Sequence, residues 1–238
     1  MLYLPKVIKI NLNKNGNKLI MKLSTATLNV LKNFATINQG LVVNKDAPVY
    51  TKTVSNSLLA KCSFEDLKET FAIYDISGYL QTLSLFDDPD IKFNDNNMTI
   101  SDGIQSVKRH YSSIDVIDYP EDNQITTIEG MTKDSKVDFV MSGEQLSKIL
   151  KASAVMKFDT LTLVSDNETI KAKLSDSSNC TADTFELDLG LCETQINVKL
   201  FVENIKVLPA SYDITVLDNL VMFHNDTLNL TYWLANAE

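Results

Sequence analysis

The sequence predicts an α+β protein of two similar domains, each built from two α-β-β-β units with helices on one face of mainly antiparallel sheet. Three observations predict it. A helical segment followed by three short strands recurs four times. The strand segments alternate apolar and polar residues, are rich in β-branched and aromatic side chains, and are joined by Asn, Asp and Gly turns. A polar stretch interrupted by Pro120 and Gly130, "DYPEDNQITTIEGMTKD" from Asp118 to Asp134, divides the chain near its middle. These give a first domain over 21–118, a connector over 119–134 and a second domain over 135–238, preceded by an extension over 1–20.

The first unit opens on "STATLNVLKNFATINQG", Ser24 to Gly40. Val30, Leu31, Phe34 and Ile37 fall on one side of a helical wheel, and Thr25, Asn29, Lys32, Asn33, Thr36 and Gln39 on the other. Ser24 is the expected N-cap and Gly40 the expected stop. Strands follow in "GLVV", "PVYTKTVS" and "LLAKCSF". The second unit has a helix from about Asp75 in "DISGYLQTLSLF", then "DIKF", a turn "NDNN", "MTIS" and "SVKRHYSS". In the third, "SGEQLSKILKASAVM" from Ser142 buries Leu146, Ile149, Leu150, Ser153 and Met156 and turns Lys148 and Lys151 outward; "TLTLVS", "TIKAKLS" and "TFELDL" are its strands. The fourth has a short helix near "FVENIKVL" ending at Pro209, then "YDITVL", "LVMFH" and "LNLTYWLA".

Charge is sorted along this frame. Residues 1–45 carry seven lysines and no acid, while the remaining 15 basic and 31 acidic residues leave the rest of the chain at -16. An acidic body repels polyanions, so affinity for nucleic acid requires a segregated basic surface. The first helix supplies the hint of one: its polar face contains Lys32 and no carboxylate.

Other classes find little support. At 238 residues and 44% hydrophobic content the chain can bury a core. It reads as soluble and intracellular, with no apolar run of membrane-spanning length and no secretory leader. Cys62, Cys180 and Cys192 are odd in number and form no C-x-x-C pair. Neither a phosphate-binding nor a dinucleotide glycine motif occurs, and His110 and His224 have no metal-ligand spacing around them. "DDPD" and "NDNN" suit turns and strand ends better than a cation loop. No catalytic residue, metal site or cofactor is expected.

"MKLSTATLNVLKNFATINQG" (Met21 to Gly40) and "FAIYDISGYLQTLSLFDD" (Phe71 to Asp88) resemble the matching stretches of the DNA polymerase sliding clamps of large tailed bacteriophages. The resemblance implies the DNA-clamp fold of proliferating cell nuclear antigen, with helices lining the hole of a homotrimeric ring and sheets outside. It implies duplex DNA, a DNA polymerase and an ATP-dependent clamp loader as partners, a possible part in late transcription, and a place in the cytoplasm of the infected bacterial host. Lys32, Lys148, Lys151 and Lys206 are then the expected DNA-facing set, with Lys22 and Lys157 as weaker members. Trp233, Leu220 and a connector residue, Ile125 or Ile128, are expected in an apolar pocket for partner peptides. Edge strands near "SVKRHYS" and "KAKLSDSS" are expected to join subunits. A phage structural ring or tube component and a monomeric protein-binding module are the alternatives.

Overall fold

The computed structural model describes residues 20–131, 135–179 and 183–237. Of the extension expected over 1–20 only Ile20 is among them; "NLNKNGNKL", whose polar turn residues would suit a small hairpin, and Cys180 lie outside. Two units of structure divide the chain: one runs to Lys52 and resumes over Lys61–Tyr119, and the other holds Thr53–Ala60 and everything from Pro120.

The first unit begins with β1 (Ile20–Met21) and α1 (Thr25–Ile37). Helix α1 forms where predicted and buries Thr27, Val30, Leu31, Phe34 and Ile37. Its cap is more elaborate than a lone serine. Ser24 Oγ accepts from Thr27 N at 3.1 Å, and the Asp66 carboxylate accepts from Ser24 N at 2.7 Å and from Thr27 Oγ1 at 2.6 Å. The helix stops two residues before the expected Gly40. Asn38 is its C-cap, donating from Nδ2 to the Lys52 and Asp118 carbonyls, while Gly40 serves packing: a Cβ there would come within 2.8 Å of Ile117 Cγ2.

Beyond it lie β2 (Leu41–Val43), β3 (Val49–Lys52), β4 (Leu58–Cys62), β5 (Phe71–Ile73) and α2 (Ile76–Leu83), capped by Asp75. Strands β6 (Asp90–Phe93), β7 (Asn97–Ser101) and β8 (Ser106–His110) follow. β1, β6, β7 and β8 form an antiparallel sheet in that order, which leaves β8 on an edge, and β2 pairs with β5. α1 and α2 pack on each other. Phe34 meets Phe64 edge-on at 6.3 Å, and Phe71 lies 5.3 Å from Phe93.

In the second unit the stretch expected as an irregular connector contains a helix, α3 (Asp122–Met131). After it come β9 (Val137–Met141), α4 (Gly143–Met156), β10 (Thr160–Ser165), β11 (Thr169–Ser175), β12 (Phe185–Leu191) and β13 (Ile196–Phe201). The chain ends through β14 (Tyr212–Val216), β15 (Leu220–Asn225) and β16 (Leu230–Ala235). One antiparallel sheet runs β12-β11-β10-β13, with α4 lying over β11 and β12. The other orders β9, β14, β15 and β16, and the β4 strand lies on the far side of β16.

Two expectations fail here. "KAKLSDSS" is no edge, because β11 is bonded to β10 on one side and to β12 on the other; β12 and β13 are the outer strands of that sheet. The fourth helix is only a 3-10 turn, Val202–Asn204. Phe201 still belongs to β13, opposite Thr160, and Val202 N donates to the Asp159 carbonyl at 2.8 Å, so the backbone remains tied to the sheet until the turn begins.

Candidate nucleic-acid interface and partner pocket

Lys32, Lys148 and Lys151 sit on well-anchored helices. On α1, Thr25, Asn29, Lys32 and Thr36 are all exposed, as is Gln39 just past its end, opposite the buried Val30, Leu31 and Phe34. Its carboxylate-free face is therefore a solvent face. α4 is fixed by a full capping box: Gln145 N donates to Ser142 Oγ at 3.2 Å and Ser142 N to Gln145 Oε1 at 2.9 Å. Leu146, Ile149 and Ser153 are buried, which leaves Ser147, Lys148 and Lys151 exposed. Leu150 is half-buried, and Met156, expected inside, is exposed with Val155 at the helix end.

Local charge sorts the lysines. Lys148 Nζ lies 2.8 Å from Glu144 Oε1, one turn earlier, and its hydrogen bond holds the Glu144 carboxyl below the usual glutamate range. Lys32 and Lys151 have no such neighbour on their helices. Lys22, a weaker candidate, is bound to Asp88 and lies 3.8 Å from Asp90, so its charge is locally neutralised. Lys157 is the exposed C-cap of α4, in the left-handed region with φ 59°. Lys206 follows the 3-10 turn rather than projecting from a helix, and is half-buried.

Arg109 escaped the sequence reading. Helix α2 has no basic residue of its own, but Arg109 on β8 donates from Nη1 to Thr82 Oγ1 at 2.8 Å and to the Gly78 carbonyl at 3.3 Å, laying a guanidinium on that helix. The signal was present as alternation: Lys108 and His110 point out on β8, and Arg109 points to the α2 side.

Around Trp233 lies an apolar cluster. Trp233 and Leu220 pack with Leu59 and Leu217, and the half-buried Ile128 and Met222 lie against them. Ile125, one turn earlier on α3, is half-buried and not among them. Leu59 was missed because some 150 residues separate it from its neighbours in the chain. Trp233 is 5% exposed, and its indole Nε1 is buried with no hydrogen-bond partner. An unpaired buried donor costs roughly 1–3 kcal/mol, so this one stands ready for an acceptor that the described residues do not supply.

No protein-family model matches the chain. Among curated proteins, it is 27% identical over 203 residues to the sliding clamp of Vibrio phage KVP40, covering 82% of this chain and 90% of that protein. It is 28% identical over 201 residues to the sliding clamp of Enterobacteria phage T4, covering 81% and 85%. The chain is similar to phage sliding clamps over some four fifths of its length. Solved structures agree on the fold at much lower identity. Proliferating cellular nuclear antigen of Entamoeba histolytica superposes with a TM-score of 0.66 at 14% identity, covering 92% of this chain and 98% of that one. The beta clamp of H. pylori gives 0.68 at 14% identity over 93% of this chain and 66% of the other.

Proposed function

We propose that this protein is a DNA polymerase processivity factor that encircles duplex DNA as a ring of identical subunits and carries out no chemistry of its own. The observation that carries the reading is the sorting of charge. In a chain of net charge -9, the exposed face of α1 has one lysine and no carboxylate, and that of α4 has Lys148 and Lys151 against a single first-turn Glu144. Lys32, Lys148 and Lys151 face the DNA in this proposal, with Lys206 as a lesser contributor.

Few mobile cations among neutral polar groups suit a ring that moves. Each phosphate contact adds affinity regardless of sequence, and many strong ones would pin the protein in place. Encirclement supplies the tether, raising the effective concentration of a polymerase held on the ring. The polymerase and other clients dock through the Trp233, Leu220, Ile128 cluster. In keeping with this, one structural relative is a proliferating cell nuclear antigen of A. fulgidus bound to the C-terminal region of FEN-1. The ring is a homotrimer of two domains per subunit, opened by an ATP-dependent loader in the cytoplasm of the infected host, and late transcription is a second use of the same ring.

Closing a ring of identical subunits needs two different edges that fit head to tail. β8 presents Lys108 and His110 on its exposed face, and the β12 edge presents Glu186 and Asp188 on its own. The first edge is basic and the second acidic, so pairing them aligns opposite charges and covers both unpaired edges at once. Light scattering across a dilution series, with negative-stain images, tests the assembly. The expected species is about three times 26.6 kDa with a central hole. A monomer at every concentration, or open stacks and tubes, would move the assignment to a binding module or a structural component.

A further inference from the structure

The loop between β2 and β3 and the loop between β4 and β5 line an open cavity of about 390 Å³ in the first unit. Its size falls among small-ligand sites, roughly 300–1,000 Å³. Pro48, Phe64 and Leu67 give it apolar walls. Its charged lining is three carboxylates, Asp46, Glu65 and Glu69, against the ammonium groups of Lys45 and Lys68.

Glu69 is the unusual member. It is 5% exposed, and among the described residues its carboxylate makes no hydrogen bond or ion pair. Burial pushes the carboxyl up; Lys45 opposes this from beyond contact distance, and Asp46 adds to it. The same loop shows what a structural carboxylate looks like: Asp66 takes two donors at the start of α1. The Glu69 carboxyl opens onto the cavity, where a cationic group can reach it. The walls are also fixed before any ligand arrives. Lys45 N donates to Thr70 Oγ1 at 3.0 Å, Ala47 N to the Asn44 carbonyl at 3.3 Å, and Phe64 is held against Phe34.

We propose that this cavity binds an aliphatic cation, its charge on Glu69 and its stem against Phe64 and Leu67. The chemistry is that of an arginine or lysine side chain of a protein partner, or of a free polyamine. Long cationic side chains bury their stems on apolar surface in this way. The inference does not depend on the sliding-clamp reading, because it uses only residues of the first unit and a ligand other than DNA.

The test is a titration of the whole protein, followed by amide ¹H–¹⁵N shifts, with acetyl-arginine amide in one arm and putrescine in the other. Saturable shifts at Ala47, Lys68 and Glu69 are expected in at least one arm, and the arm that saturates at lower concentration identifies the source. Glu69→Gln should weaken binding at least tenfold while leaving amides away from the cavity in place. Ala47→Phe, which fills the cavity but keeps Glu69, should abolish it. Absence of saturable shifts in both arms, or binding that survives both substitutions, overturns the proposal.

Discussion

Trp233 and Glu69 are both almost fully buried; the Trp233 indole N–H is sealed without an acceptor, whereas the Glu69 carboxyl, its pKa raised by burial, opens onto the first unit's cavity. Their energetics point opposite ways. Trp233→Ala removes a large side chain from the Leu59, Leu217, Leu220 cluster, and truncations of this kind cost about 3–5 kcal/mol. Trp233→Phe keeps most of the packing and removes only the orphan N–H, so it should retain stability to within about 1.5 kcal/mol while weakening client-peptide capture. Thermal unfolding and peptide titration of the two variants check this. For Glu69 the sign follows from its raised pKa. Below the ordinary glutamate value of 4.5 the group is protonated in both states and costs nothing. As pH rises through that value the unfolded chain ionises first, so the wild type loses stability relative to Glu69→Gln. Denaturant unfolding should show Glu69→Gln more stable at about pH 8 and the two equal at about pH 3.5. Cys62, whose thiol burial pushes up to about 12, should resist alkylation in the native state when its peptide is followed by mass spectrometry.

Trp233, Leu220 and Ile128, the last as an alternative to Ile125, were named through the family resemblance and its shared order of elements, and they pack together. Their long-range partner Leu59 was not named, since nothing in "LLAKC" tells which strand of the fold it will join.

At the scale of elements, legibility tracked length and regular alternation. Strands β10 and β11 appear at the predicted residues, α1 with the predicted cap Ser24 and α4 within the predicted segment from Ser142, because a polar residue followed by periodic apolar ones is a strong local signal. Very short strands such as β1 and β5 gave no alternation to read. α3 was hidden by its composition: it buries no residue and is helical despite Thr126, Thr127 and Gly130. The supposed fourth helix failed for the converse reason. Its Val, Ile and Leu content resembles a helix face, while β-branched residues and the sheet bonds of Phe201 and Val202 favour extended chain. Asp66 is the element-scale residue that sequence reading missed, as it caps a helix 39 residues away. Asp66→Ala leaves Ser24 N and Thr27 Oγ1 without their acceptor and should destabilise the protein by about 1–3 kcal/mol, readable in denaturant unfolding.

For the whole molecule the proposal rests on opposite charges kept apart: a cationic helix face and acidic surroundings, a basic edge and an acidic one. Joining β8 to β12 by charged pairs makes the assembly sensitive to salt, since exposed pairs are screened within about 8 Å at physiological ionic strength. Lys108→Glu should shift the dilution midpoint of the oligomer to higher concentration, and Asp188→Lys in the same chain should restore it in part. Charge reversal on the helices has a different expected outcome. Lys148→Glu with Lys151→Glu should leave oligomer mass unchanged and reduce loading on DNA, separating the DNA-facing role from the assembly role.

Retention on DNA of different topology tests the central claim most directly. The protein, loaded with its clamp loader and ATP, is passed over a sizing column on nicked circular DNA and on the same DNA cut once. The account predicts that it stays with the circle and is lost from the linear form through the free ends. Equal retention on both would mean that it holds DNA by contact instead of by encirclement, and would contradict the account.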